Sequence, residues 1–187
     1  MSGADKVAGV QEFIDANWDA GLTVREWWRR LAGAGYASPA WPGGLGGLGA
    51  SSSEARAITG VLAANGVIGP PSGHVAATLA APTLLEHGTP EQVARFVLPI
   101  AHGEAAWCQL FSEPGSGSDL ASVGTRAVPD GDEWVIDGQK VWNSSADTAD
   151  FGMLLARTDS GLPKHQGLTY FLIDMHQPGV EARPLTA

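Results

Sequence analysis

The sequence predicts an α+β protein in which a helical amino-terminal domain, residues 1–105, precedes an antiparallel β-barrel-like domain, residues 106–187. Three observations carry that expectation. Apolar residues recur at helical spacing in the first part and in short strand-like runs in the second. Serine or threonine stands where helices would start, with Glu or Gln three residues on. Two Asp-Gly pairs, Asp130-Gly131 and Asp137-Gly138, punctuate the later runs. With 187 residues, 44% of them hydrophobic, the chain can bury a sizeable core.

Val7, Val10, Phe13 and Ile14 share one helical face and predict a first helix. Thr23-Val24-Arg25-Glu26 has the form of a capping box, in which two side chains satisfy free amides reciprocally, so a second helix starts near Val24. It stops near Gly33, because Gly33 and Gly35 accept the left-handed backbone that closes helices. The run from Ala40 to Gly49 is too rich in glycine for an element interior and reads as a loop. Ser51 to Ser53 then cap a helix that ends near Asn65-Gly66. Another helix is expected from His74 to His87, bent at Pro82. Thr89-Pro90-Glu91-Gln92 combines a cap, a first-turn proline and the Gln of a capping box, and its helix is expected to end before Pro99.

Ala106 to Phe111 reads as a short apolar strand. Val123 to Val128 and Glu133 to Ile136 flank Pro129-Asp130-Gly131-Asp132 as a hairpin, and the second Asp-Gly turns into a short strand over Gln139 to Ser144. Phe151 to Arg157 and Leu168 to Met175 form two richer strands joined by a polar loop, and Gly179 to Arg183 begins another extended segment. That last segment has no closing element, so an open edge, uncovered apolar surface and an oligomeric partner are expected.

Eleven basic residues against 20 acidic ones give a formal net charge of −9, which repels nucleic acid and anionic lipid. The single cysteine, Cys108, cannot form an intramolecular disulfide, and with neither a CxxC pair nor an HExxH run no metal site is expected. A reducing, cytoplasmic setting fits this usage. The amino terminus lacks a basic region followed by an apolar stretch, and no run reaches the roughly 18 apolar residues of a membrane span. Gly44-Leu45-Gly46-Gly47-Leu48-Gly49 matches the dinucleotide fingerprint by letter, but no strand is predicted before it. Asn143-Ser144-Ser145 is a glycosylation sequon without a secretory signal, and there is no G-x-S-x-G elbow of a hydrolase.

Two segments carry more chemistry. Cys108 to Asp119 leaves an apolar strand, turns at Pro114, Gly115 and Gly117, and strings hydroxyls and backbone amides along one bend that can donate to a flat heterocycle or an anion. The same pattern also describes a solvated hairpin loop. Gln139 to Ser144 places the Trp142 indole two residues before the Ser144 hydroxyl, on one face if the segment is a strand. An indole there can also simply fill the core. Together, a donor-rich bend, a stacking ring and a hydroxyl are what a flavin requires.

At these residues the sequence resembles the acyl-CoA dehydrogenase family, which carries a T-E-P-G-x-G-S-D loop and a W-x-[TS] strand, both touching FAD. Here the loop stands as Ser112-Glu113-Pro114-Gly115-Ser116-Gly117-Ser118-Asp119 and the strand as Trp142-Asn143-Ser144. The resemblance extends through Thr83 to Thr89 and Ala156 to Asp159. It implies FAD as cofactor and an acyl-CoA thioester as substrate. It also implies that Gln109, Leu110, Phe111 and Ser112 line the flavin's pyrimidine edge, with Gly117 and Ser118 farther along the loop. Trp142 would pack on the ring with Asn143 beside it, Ser144 would donate to N5, and Ser118 would contact the thioester arm. Serine at 112 and 144, where many members have threonine, keeps the donor and loses a methyl contact; Asn143 replaces a usual apolar residue.

The family's fold adds a carboxy-terminal helical bundle, whose glutamate takes the α-proton while a β-hydride passes to the flavin. This sequence stops at Ala187, so the resemblance implies truncation before that bundle. None of Glu104, Glu113, Glu133 or Glu181 sits in a matching context, so no catalytic residue is assigned in this chain. The leading expectation is the FAD-binding and acyl-CoA-facing half of an acyl-CoA dehydrogenase, inactive alone and dependent on a chain that supplies the bundle. An electron-transfer acceptor protein is a further candidate partner. The alternatives are an acyl-CoA oxidase or flavin monooxygenase of the same superfamily, and a catalytically silent assembly subunit of a full-length homologue.

Overall fold

In the computed structural model, which describes residues 3–70 and 74–184, the chain divides into a helical unit, Met1–Ala105, and a sheet unit, Ala106–Ala187. The helices are α1 (Gly3–Asn17), α2 (Val24–Gly33), α3 (Ser52–Ala64), α4 (Ala81–His87) and α5 (Pro90–Ala101). Thr23, Ser51 and Thr89 each accept the backbone N–H three residues on, and Glu26, Glu54 and Gln92 return the bond, so α2, α3 and α5 start where their capping boxes place them. Val10, Ile14, Trp27, Leu31, Ile58 and Leu62 form the buried centre of this unit. The Trp27 ring lies 4.8 Å from Trp18 and 5.7 Å from Phe13 between centroids. The indole N–H groups of Trp27 and Trp28 donate to the carbonyls of Ile68 and Gly69 at 2.6 and 2.7 Å, pinning the chain that follows α3.

Two helix expectations need correction. The segment expected as one helix from His74 to His87 is a π-helical turn, Ala76–Ala80, followed by α4. Pro82 has no N–H for the carbonyl four residues back, and the neighbouring Ala81 N–H reaches Ala76, five residues back, as the π turn requires. Helix α5 runs through Pro99 to Ala101 instead of ending before the proline. One ladder bond is lost, but Ile100 and Ala101 are both buried, and that burial holds the final turn.

The glycine-rich loop is a packing device. A side chain at Gly47 would stand 2.1 Å from the Trp41 carbonyl, and one at Gly46, whose φ is +89°, would stand 2.5 Å from the Ala101 methyl. Helix α2 and turns precede it, so the fingerprint match has no phosphate cradle behind it.

The sheet comprises β1 (Trp107–Leu110), β2 (Arg126–Asp130), β3 (Glu133–Asp137), β4 (Phe151–Arg157) and β5 (Leu168–Asp174). Strand β4 is central. Strand β5 pairs antiparallel along all of it, β1 pairs parallel over Phe151 to Leu154, and β2 joins in parallel at Arg157. Strands β2 and β3 form the expected hairpin, with Asp130 opposite Glu133 and Gly131 at φ +60°. The α+β class therefore stands, while the sheet is mixed instead of wholly antiparallel, and it is not closed. Parallel pairing follows from the long connection between β1 and β4, which lets the chain return to the same end before re-entering the sheet. Cys108, Leu110, Ala127, Ala149, Leu154 and Ala156 form the core of this unit.

Two expected strands are absent from the ladder among the described residues. Gln139 to Ser144 is irregular chain leading into a turn, and Gly179 to Arg183 is unpaired; the last three residues lie outside the described range. Among the described residues no helix is long and apolar enough to cross a membrane, and no group of His, Cys, Asp and Glu could hold a metal ion.

Candidate functional site

Strand β1 delivers Gln109 and Leu110 to the end of its pairing with β4, and the chain then bends. The bend is closed by reciprocal backbone bonds: the Glu113 N–H donates to the Ser116 carbonyl at 2.7 Å, and the Ser116 N–H donates back at 3.1 Å. The buried Ser116 hydroxyl donates inward to the Asp119 carbonyl at 2.6 Å. A side chain at Gly115 or Gly117 would meet nothing within 4 Å, so the outer face of the bend is open. Gly117 and Ser118 lie exposed on that face, and Asp119 beyond them is held by Lys164 at 2.7 Å. Lys164, with the Ser122 hydroxyl, keeps the Asp119 carboxyl below the usual carboxylate range.

The second segment, residues 138–145, lies directly against the first. The Val141 N–H donates to the Ser112 carbonyl at 2.9 Å, the Asn143 amide donates to the Gln109 carbonyl, and the Lys140 ammonium donates to the Phe111 carbonyl at 3.1 Å. Gln109 to Ser112 and Trp142 with Asn143 are thus brought together. Trp142 itself has φ +62° and a side chain 78% exposed. A left-handed backbone costs a non-glycine residue about 1–2 kcal/mol, so it persists only where the neighbouring bonds impose it. It also breaks the alternation expected of a strand: the anticipated common face of Trp142 and Ser144 does not follow, and Ser144 is exposed as the chain enters the next turn, where Ser145 is again at φ +62°.

Between the two segments sits an ion pair, Lys140 Nζ to Glu113 Oε1 at 2.8 Å, whose side chains are 7% and 11% exposed. Burial by itself raises the pKa of the Glu113 carboxyl. Lys140 and the backbone N–H groups of Gly124 and Thr125, at 2.6 and 2.9 Å, outweigh that and hold it at about 2. Burial draws the Lys140 ammonium downward against the pull of Glu113. A carboxylate bonded in this way is a poor proton acceptor. Glu104 pairs with Arg29 and Glu181 with Arg183, each at 2.6 Å, and Glu133 opens β3 beside the hairpin turn. The Cys108 thiol is buried and pushed up to about 11, which removes it as a nucleophile.

Sequence reasoning missed the Glu113–Lys140 pair, although each residue lies inside one of the two motifs. Their opposite charges were the available signal, but a separation of 27 residues carries no periodicity that would join them. The arrangement offers an exposed flat ring beside a bend with an open outer face, which suits a flat heterocycle with a polar edge.

The family profile for the acyl-CoA dehydrogenase N-terminal domain matches residues 6–104, and that for the acyl-CoA dehydrogenase middle domain matches residues 108–187. The chain is 54% identical over 155 residues to acyl-CoA dehydrogenase FadE34 of Mycobacterium tuberculosis, covering 83% of this chain and 21% of that protein. It is 45% identical over 161 residues to acyl-CoA dehydrogenase IpdE1 of the same organism, covering 86% and 42%. Among solved structures, the Tcur3481-Tcur3483 steroid ACAD superposes with a TM-score of 0.69 at 33% identity over 95% of this chain and 48% of that one. The ChsE4-ChsE5 complex from Mycobacterium tuberculosis superposes at 0.66 with 30% identity, covering 93% and 45%. The chain spans less than half the length of these relatives.

Proposed function

Because this chain belongs to the acyl-CoA dehydrogenase family, we propose that it supplies the FAD-binding and acyl-CoA-facing part of an enzyme that dehydrogenates an acyl-CoA thioester between its α and β carbons. Members of the family are FAD-dependent. The observation that carries the reading is the juxtaposition of the Gln109 to Ser112 backbone with the exposed Trp142 indole. FAD, when bound, would accept the electron pair removed from the substrate. In this reading the backbone of Gln109, Leu110 and Phe111, with the Ser112 hydroxyl, lines the heterocycle's polar edge. Trp142 covers its face with Asn143 fixing the segment, and Ser144 adds a donor. Gly117 leaves room for the ligand, and Ser118 meets the thioester arm. Glu113 is tied to Lys140 and two amides and is a poor base; in this reading the α-proton is taken by a residue of the carboxy-terminal bundle that the family likeness implies, in this or another chain.

The substrate class we favour is a steroid-derived acyl-CoA, on the strength of the likeness to a steroid ACAD; the cytoplasmic setting we favour rests on the single cysteine. A second reading, a catalytically silent subunit of a two-component assembly, draws support from the likeness to the ChsE4-ChsE5 complex. Titration of the purified chain with FAD, followed by flavin fluorescence, tests the first. Trp142→Ala is expected to weaken binding by about tenfold, the upper range for a stacking contact, and an unchanged affinity would overturn the site. Bleaching of bound flavin by steroid or fatty acyl-CoA with no second chain present would end the dependence on an outside base.

A further inference from the structure

The Trp142 side chain is almost free of packing, yet its backbone holds a conformation that tryptophan adopts only under constraint. The constraint must therefore come from its neighbours. Val141 and Asn143 on either side are bonded to Ser112 and Gln109. Two residues before Trp142, Lys140 is buried with its ammonium between the Phe111 carbonyl and Glu113, and Glu113 is itself anchored on the amides that lead into β2. We infer that the Glu113–Lys140 pair is a positioning strut that fixes the left-handed backbone of Trp142 and so aims its exposed indole. The purpose of that aim, presentation to a flavin, rests on the function proposed above; the geometric coupling does not.

A buried pair of this kind could instead serve only the stability of the sheet unit, and the two roles separate experimentally. The 187-residue chain is prepared as wild type, Glu113→Gln, Lys140→Met and the double variant. The indole N–H signal of Trp142 is identified in 1H–15N spectra by its loss in Trp142→Phe, and its backbone N–H by sequential assignment. The single variants are expected to melt lower, because each leaves one buried partner unmatched. The double variant is expected to regain most of that loss, because no unpaired charge remains. The Trp142 signals are expected to shift or broaden in all three while the Trp27 and Trp28 indole signals stay in place. FAD binding is expected to weaken by about tenfold in the double variant despite its recovered stability, a typical coupling between contacting residues.

Trp142 signals that match wild type in the folded double variant would overturn the strut, whatever happens to melting. If the single variants fail to fold, the double variant decides alone. Shifted Trp142 signals in a chain that binds no FAD even as wild type would keep the strut and remove the flavin reading. FAD bound equally by wild type and double variant, with Trp142 unmoved, would do the reverse.

Discussion

In the helical unit the bonds that fix the starts of α2, α3 and α5 span three residues: Thr23 to Glu26, Ser51 to Glu54 and Thr89 to Gln92. In the sheet unit the bonds that build the candidate site span 27 residues from Glu113 to Lys140 and 34 from Gln109 to Asn143. The helical unit encloses Trp27 fully at its centre, whereas the sheet unit leaves Trp134 and Trp142, with Val128 and Val135, open to solvent. The first unit is organised by local caps and an apolar interior. The second spends two buried charges and a strained residue on presenting a surface. A segment held only by long-range polar bonds can lose its geometry while the sheet beneath it survives, so site and scaffold should fail separately.

The largest effect expected is in the helical unit. Trp27→Ala removes a fully buried indole, two ring contacts and the bond to Ile68, and should cost about 3–5 kcal/mol by denaturant titration. A much smaller loss would mean that the core reorganises and that the contrast between the units is weaker than drawn. Next comes the acid response of the site. Glu113 is held at about 2 against an ordinary 4.5, so its stabilising contribution is complete above pH 4.5 and is lost as pH falls from there toward 2. The contribution is on the order of 3 kcal/mol, and Glu113→Gln should remove that limb of the stability curve along with the pair's support at neutral pH. An unaltered acid limb in the variant would show that other carboxylates dominate.

Smaller still is the cap. Thr89→Ala should lower stability by about 1 kcal/mol, read from the thermal or denaturant midpoint, and leave FAD affinity unchanged because the bond it breaks stays within one turn of α5. Least of all, Cys108 should not react with a thiol reagent in the native chain at neutral pH and should react on unfolding, since its thiol is buried and pushed up to about 11. Rapid native labelling would reveal opening of β1 beside the site and blur the line between scaffold and presented segment.

How much was legible in the chain varies with the range of the interaction. The capping boxes, the hairpin at Gly131, and strands β4 and β5 follow from spacing and turn residues alone. The end of α5 does not: Pro99 is a stop signal by local rules, and the burial of Ile100 and Ala101 overrides it. The π turn before α4 likewise depends on what a proline withholds several residues upstream. At the site, Gln109, Ser112, Trp142 and Asn143 were visible as motif letters, but the strand expected over Gln139 to Ser144 was a misreading of period. Its residues obey bonds to a different segment, and Trp142 turns left-handed because of them.

By itself the sequence determined the α+β class, the order of helices before strands, the cap positions and the two segments that carry the chemistry, because each is written in residues within a turn or a hairpin of one another. Only the tertiary structure decided that the sheet is mixed, that Glu113 and Lys140 meet, and that Trp142 is left exposed in a strained backbone. Those outcomes are set by contacts between residues far apart in the chain, and local propensity has no term for a partner it cannot reach.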